Sequence, residues 1–323
     1  MRALPFVKMH GIGNDYVYVD GFSHEIADPA ALARLVSDRH AGIGSDGLIV
    51  VAPPEGAEAD VRMRMFNADG SEGKMCGNGI RCVAKFAVDR GIASANPLRV
   101  QTLRGVLAVR WRADAAGRAF GATVDMGEPI LDPGRIPVQV QGGRAIAWPW
   151  GIGRWREVSK AAGLDAARTD EWIAACRIGE SVSFVSMGNP HMVAWCGDIG
   201  AVPLERIGPV IETLPMFPER INVHVVEVSS RASVRMRTWE RGSGMTQACG
   251  TGACAVCVAG QLEGRLGCEV DAHLPGGRLQ IEWPGAGRAV MMAGPAVTTF
   301  EGTMDLDAIG APCGMVNATE HVP

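Results

Sequence analysis

The chain has 323 residues, 47% of them hydrophobic, with 31 basic against 35 acidic side chains. A net charge of −4 leaves no electrostatic footprint for nucleic acid or an anionic membrane as partner. No stretch approaches the roughly 20 continuous apolar residues that cross a bilayer, and the N-terminus lacks an apolar run of signal-peptide length. Nine cysteines, an odd number in a chain too long to need a disulfide scaffold, point to free thiols in a reducing, cytoplasmic setting.

Residues 6–20 read as strand, Gly-rich turn and strand, and 29–40 open on a proline and continue with helix formers, which predicts a helix. GIGSDGLIVVAPP (42–54) follows as a turn and a buried strand ended by prolines. Its glycines match G-x-G-x-x-G, but a dinucleotide site needs a strand before and a helix after, and here the order is reversed. Residues 61–70 alternate as a half-buried strand does, 96–111 read as a hairpin and 120–129 as a further strand. Between 130 and 180 lie Trp148, Trp150 and Trp155 and one predicted helix across 156–176. Short β segments resume at 182–195, 221–229, 232–240, 278–284 and 289–306, and a loose tail is expected over 307–323. Strands joined by short turns predict a mixed α/β (α+β) fold with many antiparallel pairings.

One internal similarity organises this pattern. MCGNGIRCVAKFAV (75–88) and ACGTGACAVCVAGQ (248–261) share C-G-polar-G-x-x-C followed by a small, apolar helical stretch. Each half of the chain carries one copy, which argues for two similar domains. Cys76 and Cys249 then sit at helix starts, where free N–H groups and the helix dipole stabilise a thiolate. The glycines let a bound carboxylate approach the backbone. Cys82, Cys254 and Cys257 fall inside apolar helix and read as core, and nothing assigns a function to Cys176, Cys196, Cys268 or Cys313. Asn14, Asn67 and Asn189 lie in Gly- or Pro-rich turns where Asn is common for backbone reasons, so the residues alone leave them structural. His191 could cap a strand, and Glu240–Arg241 could be a solvated pair.

HGIGNDYVYVD (10–20), FNADGSEGKMCGNGIRC (66–82), SMGNPHMV (186–193), INVHVV (221–226) and WERGSGMTQACGTGACA (239–255) resemble the diaminopimelate epimerase family block for block, from about residue 6 to residue 306. The resemblance implies two pseudo-symmetric domains, each a β-barrel-like mixed sheet around a central helix, with the site in a cleft between them. The expected boundaries are 1–127 with 295–306 for the domain carrying Cys76, 128–294 for the one carrying Cys249, and 307–323 for the tail. It further implies a homodimer without cofactor or metal, acting on a small molecule: LL- and meso-2,6-diaminopimelate, on the route to lysine and peptidoglycan precursors. Cys76 and Cys249 correspond to the acid/base pair. Asn14, Asn67, Asn189 and Asn222 correspond to side-chain contacts to substrate, and Gly77, Asn78, Gly250 and Thr251 to the backbone cradles. Glu240 and Arg241 match the family's Glu-Arg pair, Arg241 being expected on the distal carboxylate, and His191 and Glu240 are expected to tune or relay protons at the thiols.

Two positions depart from the family. Gly47 stands where many members carry Gln, and Met245 where an acidic residue is usual. The 130–180 segment is longer than usual and is expected to be a surface insertion. Other racemases of this scaffold, a Cys–His hydrolase on His191 and a thiol redox sensor are the competing readings. The duplicated Cys block disfavours the hydrolase, and the carboxylate-binding pattern disfavours the sensor.

Overall fold

The computed structural model describes residues 2–140, 143 and 145–318, and the end of the expected tail, 319–323, lies outside them. The chain divides into two compact units, unit 1 from residues 1–125 with 293–323 and unit 2 from 126–292.

Unit 1 begins with β1 (Ala3–Gly11), β2 (Asn14–Asp20), β3 (His24–Ile26) and α1 (Pro29–Ser37), followed by β4 (Gly47–Ala52), β5 (Val61–Asn67) and β6 (Glu72–Gly73). Next come α2 (Gly77–Asp89), β7 (Leu98–Thr102), β8 (Gly105–Ala113) and β9 (Ala119–Asp125). Asp28 starts α1 by accepting from the Ala31 N–H at 2.9 Å, with Pro29 in the first turn where no N–H is needed. The all-apolar run LIVV reads as a strand because β4 lies inside the sheet, parallel to β2 and antiparallel to β5. The strands run β1–β2 antiparallel, β2–β4 parallel, β4–β5 antiparallel, β5–β7 parallel, β7–β8 antiparallel and β8–β9 antiparallel. They curl around α2, which touches β1, β2, β4, β5, β7, β8 and β9.

Unit 2 repeats that order. It holds β10 (Trp148–Pro149), α3 (Gly151–Ala161), α4 (Ala166–Cys176), β11 (Ser181–Ser186), β12 (Pro190–Cys196) and α5 (Leu204–Glu212). There follow β13 (Asn222–Ser230), β14 (Ser233–Glu240), β15 (Gly244–Thr246), α6 (Gly250–Leu262), β16 (Glu269–Leu274) and β17 (Gly277–Glu282). From β11 to β17 the pairings run antiparallel, parallel, antiparallel, parallel, antiparallel, the same sequence as from β1 to β8. α5 occupies the place of α1, β15 that of β6, and α6 that of α2. α6 has no polar face and touches β11, β12, β13, β16 and β17.

The chain returns through β18 (Met291–Pro295) and β19 (Val297–Asp305), the latter antiparallel to β1, and ends in β20 (Val316–Ala318). The expectation of a loose tail is overturned for 307–318. β20 pairs with β3, the Ala27 N–H reaches the Met315 carbonyl at 2.9 Å, and Ala311 and Met315 are buried with Leu4, Leu32 and Leu306. The single helix expected across 156–176 is two helices. Gly163 takes a left-handed φ of 74° after α3, and the Asp165 carboxylate caps α4 by accepting from the Arg168 N–H at 2.8 Å. Nor is the Trp-rich segment a surface insertion. Trp150, Trp155 and Trp172 form the aromatic centre of the unit 2 core beside Val182, Phe184 and Ile207, with Ile136 and Val138 in the same cluster. Such indole burial is the largest apolar contribution a single side chain makes.

Candidate active site

Each of the two repeated cysteines is the cap residue of a 13-residue helix and has extended backbone angles. In unit 1 the Cys76 sulfur accepts from the Gly79 N–H at 3.3 Å and faces Asn14 Oδ1 at 3.2 Å. Asn14 follows a tight turn in which both Ile12 (φ 54°) and Gly13 (φ 86°) are left-handed, a conformation a β-branched residue rarely adopts. Its amide is oriented by Asp46, whose carboxylate accepts from Asn14 Nδ2 at 2.8 Å and from the Asp15 N–H at 3.1 Å. Arg39 bridges Asp15 and Asp46 at 3.0 Å each, and Lys8 pairs with Asp15. Burial pushes the Asp15 carboxyl up, yet bonds to Lys8 and Arg39 outweigh it and hold it below the usual carboxylate range. Burial, and then the neighbouring Asp15 charge, push Asp46 up.

Asn78, in the first turn of α2, is buried, and its Oδ1 accepts from Arg81 at 3.0 Å. Arg81 is wholly buried and also donates to the Gly77 carbonyl at 2.9 Å and the Pro295 carbonyl at 3.1 Å, so a guanidinium underlies the turn that follows Cys76. Asn67 is half-buried at the end of β5 and donates to Ser71 Oγ at 2.9 Å. At Gly47 the backbone is packed closely in this chain: a Cβ there would run into the Phe66 carbonyl and lie 2.8 Å from the Tyr16 ring, so a larger residue needs this strand pair to shift.

In unit 2 the Cys249 sulfur lies 3.7 Å from Thr251 Oγ1, which Asn189 Nδ2 approaches at 3.4 Å. Asn189 just precedes β12 as Asn14 begins β2, so the repeat brings an asparagine toward each sulfur. Asn189 Oδ1 meets His191 Nε2 at 3.0 Å, His191 Nδ1 meets His224 Nε2 at 2.9 Å, and His224 Nδ1 meets Thr238 Oγ1 at 2.9 Å. Both imidazoles are fully buried. Desolvation drives His191 well below its ordinary value, with the His224 and Arg241 charges adding to it, and takes His224 to about 3. His191 is therefore neutral near pH 7 and offers its neighbours one donor and one acceptor nitrogen. Gly252 makes room for this packing: a Cβ there would collide with the His224 ring and lie 3.0 Å from the Cys249 sulfur.

His191, His224 and Cys249 offer three possible metal-ligand atoms within 4.8 Å of one another, the one such group among the described residues. The facing ring nitrogens are already bonded to each other, and the sulfur is the one the repeat singles out, so a cation there would compete with both. Asn222 is buried and braces backbone, donating to the Pro190 carbonyl at 2.7 Å and accepting from the Arg241 N–H at 3.0 Å. The Arg241 guanidinium donates to the Glu219 carbonyl at 2.7 Å, and Glu240 accepts from Thr246 Oγ1 at 3.0 Å. Met245 is half-buried against the unit 2 core. Burial raises Cys82 and Cys176 to about 11, Cys196 to about 12, and Cys257 upward, which keeps them as inert thiols.

Asp46, Arg81, His224 and Thr238 escape a reading of the sequence. Asp46 lies in the GIGSDG turn and His224 in a strand of apolar residues, and only the packing brings them to an asparagine or a sulfur.

The doubled sheet-and-helix unit, one strand order built twice around a central helix, is a class of fold shared with solved structures. A phenazine biosynthesis protein of the PhzF family from Bacillus anthracis superposes with a TM-score of 0.65 at 17% identity, over 94% of this chain and 99% of that one. Within that class the family model for diaminopimelate epimerase matches residues 6–131 and 183–299, leaving out most of the Trp-rich segment. A diaminopimelate epimerase of Desulfovibrio desulfuricans is 49% identical over 301 residues, 93% of this chain and 98% of the relative. Another, from Acetivibrio thermocellus, is 45% identical over 304 residues, 94% and 99% of the two chains. The chain belongs to the diaminopimelate epimerase family of isomerases.

Proposed function

We propose that this chain interconverts LL- and meso-2,6-diaminopimelate by a cofactor-independent, two-thiol inversion, supplying lysine and peptidoglycan precursors. One sulfur removes the α-proton as thiolate while the other, as thiol, delivers a proton to the opposite face of the same carbon. The observation that carries the reading is the duplication: Cys76 and Cys249 occupy the same cap position of the same helix in two copies of one fold unit. A hydrolase needs one nucleophile, whereas inversion needs a group on each face.

The α-proton is very weakly acidic, so catalysis rests on stabilising the charge that develops beside the carboxylate. The N–H groups at Gly77–Asn78 and at Gly250–Thr251 supply that, each aided by its helix dipole and the first also by Arg81. Asn14, Asn67 and Asn189 contact the substrate, Arg241 takes the distal carboxylate, and Asn222 holds Arg241 in place. His191 and Glu240 support the site by orienting their neighbours. A homodimer is supported by exposed Phe120, Val297 and Phe300 on unit 1. A reducing, cytoplasmic setting is supported by the need for two free thiols, and no helix among the described residues is long and apolar enough to cross a membrane.

Cys76→Ala and Cys249→Ala are each expected to lower epimerisation by about 10³-fold or more, the upper part of the range for general acid–base groups. Wild-type turnover in heavy water is expected to place deuterium at the product α-carbon, read by mass spectrometry. An active single-cysteine variant, or chiral chromatography showing turnover of another amino acid and none of diaminopimelate, would overturn the reading.

A further inference from the structure

Six groups of unit 2 line up from Thr238 to the Cys249 sulfur, and with the Asn189 amide oriented as it stands one arrangement of protons fits their contacts. Asn189 Oδ1 can only accept, so the His191 Nε2 facing it at 3.0 Å carries a proton. Burial keeps both histidines neutral, so each ring holds one proton. His191 Nδ1 is then bare, and His224 Nε2, 2.9 Å away, must donate to it. That leaves His224 Nδ1 as an acceptor for the Thr238 hydroxyl at 2.9 Å. At the other end Asn189 donates from its amide nitrogen to Thr251 Oγ1, which frees the Thr251 proton for the sulfur.

In unit 1 the Gly79 N–H donates to the Cys76 sulfur at 3.3 Å, but the side chain facing that sulfur has the opposite polarity to Thr251. The Asp46 carboxylate accepts the Asn14 N–H and so turns Asn14 Oδ1 onto the Cys76 sulfur. A carbonyl oxygen there rewards an S–H donor and repels a thiolate.

We infer that His224 is a positioning residue whose fixed tautomer runs a one-way hydrogen-bond chain through His191, Asn189 and Thr251, so that Cys249 rests as thiolate while Cys76 rests as thiol. The two sulfurs then differ in resting protonation, each set by the side chains of its own unit. This deepens the two-thiol reading: it rests on that reading for the proton's use, but not for its location. Thr238 is the far anchor, and the charged neighbour of the chain is Arg241, whose field is felt at His191.

Two measurements test it without turnover. Nitrogen-15 NMR of histidine-labelled protein is expected to show His191 and His224 protonated on Nε2 and bare on Nδ1. If the Asn189 amide were reversed, the whole chain would run backwards and both rings would carry the proton on Nδ1, which overturns the inference. The second measurement is the pH midpoint of iodoacetamide labelling at each cysteine, read peptide by peptide. Cys249 is expected to have the lower midpoint. Thr238→Val, buried and nearly isosteric, is expected to raise it by about one pH unit, a tenfold change in thiolate fraction, with Cys76 unmoved and Thr238→Ser restoring the wild-type value. Equal midpoints, a lower midpoint at Cys76, or a Thr238→Val shift that is absent or shared by both cysteines would overturn it. If the tautomers are wrong while Cys76→Ala and Cys249→Ala remain inactive, this inference falls and the two-thiol chemistry stands.

Discussion

In unit 1 the asparagine beside the sulfur is oriented by a carboxylate, Asp46, inside a cluster with Asp15, Lys8 and Arg39. In unit 2 its counterpart Asn189 is oriented by an imidazole, inside a chain of neutral buried groups. The strand order and the helix cap are copied from one unit to the other, but the polar support is not. The repeat therefore fixes where each sulfur stands, and the supporting side chains decide which way its hydrogen bonds point.

The largest expected break in the comparison comes from what unit 2 has and unit 1 lacks. Trp155 is fully buried and donates to the Gly179 carbonyl at 3.0 Å. Trp155→Ala should cost about 3–5 kcal/mol in a denaturant titration. A loss under about 1 kcal/mol would show that the Trp-rich segment is dispensable to the core.

The equivalent glycines of the two helix starts should then respond unequally. Gly252→Ala drives a methyl into the His224 ring and should cost about 2–3 kcal/mol with a loss of turnover of at least about tenfold. In Gly79→Ala the obstacles are the ends of Ile49 and Met63 at 2.8 and 3.1 Å, which can give way, and alanine favours a helix by about 1 kcal/mol. A near-neutral change is expected there. Equal losses at the two positions would refute the special packing at His224.

Acid should separate the units further. Both histidines have folded values below their unfolded ones, so the unfolded chain takes up protons first. Their stabilisation is complete above about pH 6.5 and falls as pH drops below it, by about 1.4 kcal/mol per pH unit for each ring. For Asp15, also held low, the loss begins only near pH 4 and continues through its folded value, while Asp46, held high, acts in the opposite sense. His224→Asn should remove about half of the stability slope between about pH 6.5 and 5. An unchanged slope, measured by denaturant titrations across that interval, would show that His224 is not held neutral.

The smallest effect belongs to the surface of the unit 1 cluster. The Arg39 side chain is 58% exposed, so Arg39→Ala should change stability by less than about 1 kcal/mol. A larger loss would make the ion cluster as rigid a support as the buried histidines.

Most of the strands and both cysteine-headed helices can be read from local residue patterns. Apolar alternation and turn residues act locally, so β1, β2, β4, β5 and the β7–β8 hairpin were legible, as were the two helix starts headed by Cys76 and Cys249. The break at Gly163 was visible as a residue but not as a helix end, because a glycine inside a helix pattern ends it only when the chain turns there. Packing alone buried Trp150, Trp155 and Trp172 and anchored the stretch after β19 through Ala311 and Met315, since burial depends on which surfaces meet. The same reason hid Asp46, Arg81, His224 and Thr238. A histidine in a run of valines carries no signal until the parallel pairing of β12 with β13 sets His191 opposite Asn222 and brings His224 into hydrogen-bond range. Local residue preferences write the strands and the helix starts, whereas long-range register decides which side chains stand beside each sulfur.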